Sequence, residues 1–426
     1  MELNEEQNKA VFSNERFLFL LAGAGSGKTR VIVERIKRLV LEGTDPTRIL
    51  ALTFSRKAAA EMRHRIKIDG VPVHTFHSYC LNRLEHIKQQ QIKVQNGKNP
   101  IFKKADLLNI AKYKTSVYRT TKPFSFQRYQ GWLLAEEAKD YEDLLLDFYR
   151  FQKKGIIKNS YDHVLIDEFQ DTNLIQYEIV KKLIGKTTSV FAVGDPDQAI
   201  YRFRGAHAGV ILDYLADLHA KVLPLTVNYR SNTSIIEAAN RLIMRNQGKL
   251  RKALVADNPA RREVVHVSFE QDEAEAAYVS AFVSARIKHR IQPVEIAILY
   301  RNHHRSYELQ QAFLEQDIAF QEFEDDGVAF KQGVQFMTIH KAKGLEFDVV
   351  IILGLEEGWF PSKRQNRLSE QEEERRLMFV AMTRARHELL LTSIQKDVQG
   401  RALRPSVFIH ESGVKTIKKM SINGII

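Results

Sequence analysis

The stretch Ala22–Thr29, AGAGSGKT, constrains this chain more than any other. It follows a short apolar run, Arg16–Ala22 (RFLFLLA), and opens KTRVIVERIKRLVLEG, where Val31, Ile32, Arg35, Ile36, Leu39 and Val40 form one stripe at helical spacing and Gly43 is the natural stop. A strand, a glycine-rich turn and a helix in this order make a phosphate cradle. Gly23, Gly25 and Gly27 let backbone N–H groups point inward, and the helix start adds the positive end of its dipole. Within the cradle Ala22, Ala24 and Ser26 fill the remaining loop positions, Lys28 is placed to reach the β- and γ-phosphates, and Thr29 to bind Mg²⁺. The strict form of the motif begins with Gly; Ala22 satisfies its broader form.

A second apolar run, His163–Ile166, ends in acids: HVLIDEFQD. Carboxylates at the C-terminal end of a strand lie where ligands of open α/β sheets bind. Asp167 is the expected Mg²⁺ ligand, and Glu168 the expected base that orients and deprotonates an attacking water.

The pattern of further runs predicts an α/β fold. Arg48–Phe54 reads as a strand and Lys57–Ile66 as a helix, so the N-terminal part alternates strand and helix around a parallel sheet. A strand is also expected at Ser189–Val193. After Asn228 a second series begins, with a helix from Thr233, strands at Glu263–Ser268, Ile296–Tyr300, Val334–Ile339 and Asp348–Leu353, a helix over Glu372–Arg386, and a strand at Glu388–Thr392. Between the first series and its return, Leu81–Lys154 reads as helical and basic. From Arg83 to Arg128 only Glu85 and Asp106 oppose the Lys and Arg residues, and Tyr113, Tyr118, Phe124, Phe126 and Tyr129 are interleaved. The formal net charge of +12 favours a polyanionic partner. Cys80 stands alone, which excludes an intramolecular disulfide and a cysteine-based zinc site. No basic N-terminal leader and no apolar stretch long enough to span a bilayer is evident, so the expectation is a cytoplasmic protein with no membrane partner.

These segments together resemble superfamily 1A helicases of the UvrD/Rep/PcrA type. LNEEQNKAV (Leu3–Val11) is similar to the family's glutamine motif, ALTFSRKAAAEMRHRI to motif Ia, VHTFHS to motif Ib and VLIDEFQDTN to motif II. VGDPDQAIYRFRGA is similar to motif III, LTVNYRS to motif IV, FMTIHKAKGLEFDVVII to motif V and EEERRLMFVAMTRAR to motif VI. The resemblance implies two tandem RecA-like parallel-sheet domains with a helical insertion, called 1B, in the first. Residues 1–80 with 158–228 would form the first motor domain, 81–157 the insertion and 229–426 the second motor domain.

It also implies roles. Gln7 would read the adenine edge, Arg30 and Tyr229 would sandwich the ring, and Glu346 would lie near the ribose. Gln198 would contact the γ-phosphate and the attacking water. Arg230 and Arg384 would be arginine fingers supplied by the second half, where a guanidinium fork suits the charge on a transferring phosphoryl group. Phe54, His77, Tyr201, Phe203 and His340 fall on strand-binding positions, and Arg56, Arg204 and Lys343 are candidate backbone contacts. Stacking on bases tolerates any sequence, as a motor requires.

The chain departs from the family pattern in three places. Phe203 stands where Trp is usual, and Arg56 where Asn is usual. Only Glu322–Gly333, with Asp325, Asp326 and Gly327, separates the segment before motif V from motif V itself, so the accessory domain called 2B is expected to be replaced by a short loop. The implied activity is an ATP- and Mg²⁺-dependent helicase or translocase of 3′→5′ polarity, acting on single-stranded DNA or on single-strand/duplex junctions. The alternatives are a motor subunit needing self-association or a protein partner in place of 2B, as in a nuclease, repair or defence complex; a nucleotide switch that does not move; and an RNA track.

Overall fold

The computed structural model describes residues 2–95, 101–116, 121–158, 160–207, 209–248, 250–323, 332–362 and 368–418. By contacts the chain divides into two units, Met1–Ala22 with Gly27–Leu225, and Gly23–Ser26 with Thr226–Ile426.

In the first unit the strands are β1 (Phe17–Ala22), β2 (Ile49–Thr53), β3 (Val73–Thr75), β4 (Lys93–Val94), β5 (Ala138–Lys139), β6 (His163–Ile166), β7 (Ser189–Gly194) and β8 (Lys221–Leu225). Six of them form one sheet in the order β3-β2-β6-β7-β1-β8, with every pairing parallel. A parallel sheet is covered on both faces, so its inner strands read as unbroken apolar runs. FLFLLA and ILALT meet that demand, and their side chains are buried almost throughout. The helix Lys28–Leu41 packs Val31, Ile32, Val33, Ile36 and Leu39 onto this sheet with Leu18, Leu20, Ile49 and Leu165. Arg35 lies in the same stripe and is buried too. Its guanidinium donates to the carbonyls of Ala10 and Val11 and lies over the Phe191 ring, which ties the helix Glu5–Phe12 to the sheet. Burial, the larger influence, and the neighbouring Arg38 lower its pKa to about 10, and it stays charged at neutral pH.

The helical segment carries its own small core of Phe102, Ile110, Tyr129 and Leu133. The helix Phe76–Lys88 runs through residue 81, the expected start of the insertion, and β4 and β5 pair within the segment. Of the interleaved aromatics, Tyr129 is core and Tyr113 packs edge-on against Phe126 at 5.0 Å, while Phe124 is fully exposed; Tyr118 lies outside the described residues. Lys114 is not a surface base. It is buried against Asp140 at 2.6 Å and Asp143 at 2.8 Å, with the Tyr129 ring 5.1 Å away. Lys114→Met would leave the buried Asp140 and the half-buried Asp143 without their cation, so the helix Lys104–Thr115 is expected to lose about 3–5 kcal/mol of stability. Hydrogen exchange of its amides measures this, and Asp143→Asn in the same chain should recover part of the loss.

The second unit holds β9 (Val227–Asn232) paired parallel with β10 (Val255–Asn258), and a sheet of β11 (Val265–Phe269), β12 (Ile296–Tyr300), β13 (Phe320–Glu322), β14 (Val334–Thr338), β15 (Phe347–Leu353), β16 (Ala385–Ile394) and β17 (Lys415–Lys418). Its order is β13-β14-β12-β15-β16-β11-β17, again parallel at every pairing. Tyr300, Phe313, Phe336, Ile351 and Leu353 are among its buried core. The helix expected over Glu372–Arg386 runs instead from Leu368 to Met382, and Ala385 already belongs to β16. The stop has a local cause. The Thr383 hydroxyl bonds the carbonyls of Phe379 and Val380, and the Arg384 guanidinium also takes Val380, so the last turn is closed by side chains.

Candidate nucleotide and strand site

In the first unit the expected functional residues gather at one edge of the sheet, beyond the C-terminal ends of the strands. The phosphate loop follows β1, Phe54 and Arg56 follow β2, His77 follows β3, Asp167 and Glu168 follow β6, and Gln198, Tyr201, Phe203 and Arg204 follow β7. Parallel strands place all these turns on the same side, where open α/β sheets bind ligands.

The loop has the backbone of an anion cradle. Gly25 and Gly27 take φ of +64° and +81°, and the Ser26 hydroxyl donates to the Gly23 carbonyl at 2.8 Å. No side chain caps the helix Lys28–Leu41, whose first turn holds Thr29 and Arg30. Gln7 packs against the loop closely enough that a Cβ on Gly27 would come within 2.9 Å of its amide nitrogen. Gln7 is buried, and its Oε1 accepts the Asn4 N–H at 3.1 Å in a capping box, so in this conformation it closes its own helix. In the second unit, to which Gly23–Ser26 belong by contacts, Asn228 Nδ2 donates to the Ala24 carbonyl at 2.6 Å. Ala22 is buried at the end of β1.

Across the sheet edge, Lys28 Nζ lies 3.8 Å from a Glu168 carboxylate oxygen. Asp167 is buried and its Oδ1 accepts the Glu168 N–H at 2.9 Å. Glu168 itself has φ +50° and ψ +43°, a left-handed conformation that costs a side-chain-bearing residue on the order of 1 kcal/mol and collects at functional sites. Two residues not singled out from the sequence hold this turn. Gln170 Nε2 donates to the Glu168 carboxylate, and Gln170 Oε1 accepts the Asp195 N–H at 2.9 Å. Asp195 in turn accepts the Gln198 side-chain amide at 2.7 Å. The signal was in the text of the chain, since DEFQD and GDPDQ each place an amide close after an acid.

The strand-binding candidates of this unit form one aromatic cluster. Phe54 and Tyr201 stack with centroids 5.0 Å apart and planes at 13°, Phe203 lies 6.1 Å from Tyr201, and the Arg204 guanidinium sits over both rings. Phe54 and Phe203 are each 40% exposed, whereas Tyr201 is 9% exposed. The open faces thus belong to the two phenylalanines, and Tyr201 supports them. His77 packs edge-on against Tyr141 at 5.1 Å, and Arg56 bonds the Tyr141 hydroxyl at 3.3 Å. Burial, reinforced by Arg56, drops the His77 pKa to about 4, so the imidazole is neutral at physiological pH.

The second unit gathers Arg230, Glu346 and Arg384 at the N-terminal ends of β15 and β16. Arg230 Nε lies 2.6 Å from Glu346 and its Nη1 donates to the Thr383 carbonyl at 3.1 Å. Arg386, another residue missed in the sequence, bonds Glu346 at 3.0 Å, Glu295 at 2.8 Å and Asp348 at 3.1 Å. Burial alone would raise the Glu346 carboxyl, but Arg230 and Arg386 hold it below the usual carboxylate range. Arg384 is 2% exposed, with Val380 O at 2.9 Å, Leu345 O at 3.2 Å and the Thr383 hydroxyl at 3.2 Å. Tyr229 is half-buried in β9. His340 and Lys343, both half-buried, lie in the short segment that leaves β14 and enters β15.

Two family descriptions match the chain. The UvrD/REP helicase N-terminal domain matches residues 3–112 and 85–219, and the UvrD-like helicase C-terminal domain matches 223–326 and 317–396. The chain belongs to the UvrD/REP family of superfamily 1 helicases, which are ATP-dependent enzymes. Among similar proteins, a probable DNA helicase II homolog from Mycoplasma capricolum is 26% identical over 96% of this chain and 87% of its own length. DNA helicase II of Escherichia coli is 34% identical over 75% of this chain and 51% of its own. The ATP-dependent DNA helicase PcrA of Staphylococcus epidermidis is 31% identical over 75% and 50%. The matched region is thus about half the length of the latter two. Among the described residues no helix is long and apolar enough to cross a membrane.

Proposed function

We propose that this chain is a DNA helicase whose motor core hydrolyses ATP and steps 3′→5′ along single-stranded DNA. The observation that carries the reading is the turn after β7. Gln198 in that turn connects through Asp195 and Gln170 to Glu168, and Tyr201 and Phe203 follow on the same stretch of chain. On this reading one short segment joins the hydrolysis site to the aromatic strand platform. In this reading Lys28 holds the β- and γ-phosphates, Glu168 activates water, Gln198 senses the γ-phosphate, and Arg230 and Arg384 of the second unit supply positive charge. Gln7, Arg30 and Tyr229 bind the adenine, and Glu346 the ribose. Phe54, Phe203, His77, His340, Arg56, Arg204 and Lys343 hold the strand.

The donor set suits Mg²⁺. A carboxylate at Asp167 and a hydroxyl at Thr29 are hard oxygen ligands, and Mg²⁺ takes few of these from a protein when phosphates and water complete its shell. When bound, the ion neutralises charge on the phosphate oxygens.

We also propose that the segment 322–333 stands in place of an accessory domain. Its residues 324–331 lie outside the described residues. The reading is supported by the parallel pairing of Phe320 with Val334 on its two sides, and by the 627-position alignment with the M. capricolum protein, which is longer than this 426-residue chain. A core of this kind translocates alone and depends on self-association or a partner for sustained unwinding.

ATPase rates with and without single strands, and opening of 3′-tailed against 5′-tailed duplexes across protein concentration, test these statements. Strand-stimulated turnover and concentration-dependent opening of 3′-tailed substrate are expected. Turnover indifferent to single strands would sink the motor, and efficient opening by dilute monomer would sink the dependence on assembly. Phe203→Ala should weaken strand binding about 5- to 150-fold, the equivalent of one lost base stack at roughly 1–3 kcal/mol, while strand-free ATPase is unchanged. Fluorescence titration with a labelled oligonucleotide reads the loss.

A further inference from the structure

The helicase reading assigns no role to Gln170, yet this side chain is 2% exposed and spends both ends of its amide on the candidate site. Its Nε2 donates to the Glu168 carboxylate and its Oε1 accepts the backbone N–H of Asp195 at 2.9 Å. The carboxylate of Asp195 then receives the Gln198 amide at 2.7 Å and the Asp197 N–H at 3.0 Å. Gly194 belongs to the same arrangement: a Cβ there would stand 2.8 Å from Gln170 Oε1 and 3.3 Å from its backbone nitrogen, so the strand end needs glycine to admit the amide. On the other side, Glu168 is held at φ +50° in a backbone region that a free turn would leave.

We propose that Gln170 is a positioning residue that ties the Glu168 carboxylate to the Asp195–Gln198 turn, so that the base and the γ-phosphate sensor are set as one unit. This rests on the reading of Glu168 and Gln198 given above. A glutamine suits the place because it is donor at one end and acceptor at the other, and the two ends face opposite demands: a carboxylate needs a donor, a backbone N–H needs an acceptor. The charged groups around the contact are Lys28 on the helix after the loop, 3.8 Å from Glu168, Asp167 and Asp171 in the acidic turn, and Asp195 at the end of β7. Because the turn continues into Tyr201 and Phe203, the link also connects the strand platform to the base.

The test uses the full-length chain with three substitutions, each compared with wild type by thermal unfolding and by strand-stimulated ATP turnover. Gln170→Leu removes both ends of the amide at similar volume. Gln170→Glu keeps the acceptor for Asp195 but turns the donor into a second carboxylate beside Glu168. Gly194→Ala presses on the amide from outside. For each folded variant kcat should fall on the order of 10²-fold, the scale of a misplaced catalytic group, with KM for ATP within about threefold of wild type. A merely structural role would lower the unfolding temperature and leave kcat per active site unchanged in the folded fraction. Folded Gln170→Leu and Gln170→Glu with wild-type kcat would overturn the proposal while leaving the helicase reading intact. A wild-type chain without ATP turnover would instead overturn the helicase reading.

Discussion

Glu168→Gln is expected to lower kcat for ATP hydrolysis by about 10²- to 10⁴-fold, the usual contribution of a positioned general base. The reaction needs a water oxygen to attack the γ-phosphorus as the bond to the bridging oxygen breaks, and the water's proton must go to a nearby acceptor. A carboxylate accepts it; an amide of the same size does not. The substitution is mild in every other respect. Gln, like Glu, must carry φ of +50° at this position, so the backbone strain is unchanged. The amide oxygen still accepts from Gln170 Nε2, and the Asp195–Gln198 turn keeps its anchor. Lys28 loses an anionic neighbour at 3.8 Å and is left free for phosphate, so ATP affinity should be equal or higher. Single-turnover hydrolysis together with binding of a labelled nucleotide separates the two quantities. Turnover within about threefold of wild type would remove Glu168 from the role of base.

How much of this could be read from the sequence depended on burial. β6 and β12 were legible to the residue, and β1 and β2 to within a residue or so at either end, because strands covered on both faces must be continuously apolar. β8 was not legible. It lies at the edge of its sheet, Lys221 and Pro224 are exposed, and proline is tolerated there because an edge strand leaves one row of N–H groups unpaired. β9 was hidden inside NYRS, whose pattern was taken up by its resemblance to motif IV. The end of the helix at Met382 depends on side-chain bonds from Thr383 and Arg384, which no periodicity announces. At the site, residue types and order pointed to the phosphate loop and the acidic turn. Exposure did not follow from them: Tyr129 and Tyr201 share the polar surroundings of Phe124 and Phe203 in the sequence, but packing buries the first pair and opens the second. Gln170 and Arg386 were overlooked for the same reason, since each acts through a partner distant in the chain.

Arg384 tests the other half of the proposed chemistry, and its surroundings sharpen the prediction. The guanidinium is buried and takes the carbonyls of Val380 and Leu345 and the Thr383 hydroxyl, so in this conformation it closes a helix end and braces the segment before β15. To meet a phosphate it must leave those acceptors, and hydrogen bonds to a charged group contribute about 1.5–3 kcal/mol each. In the proposed chemistry, charge developing on a transferring phosphoryl group is a stronger attractor than a carbonyl, which would favour the exchange as nucleotide reacts. Arg384→Ala should therefore do two separable things. It should lower stability by about 1–3 kcal/mol, because buried carbonyls lose their donor. It should also reduce strand-stimulated kcat on the order of 10³-fold, the lower end for an arginine finger, with ATP binding within about threefold. Arg384→Lys discriminates between these effects: it restores a charged donor to the helix end but not the planar fork, so stability should recover more than turnover. Turnover that recovers in step with stability, or that stays normal in the folded fraction of Arg384→Ala, would make Arg384 a brace and leave Arg230 as the sole candidate for the finger.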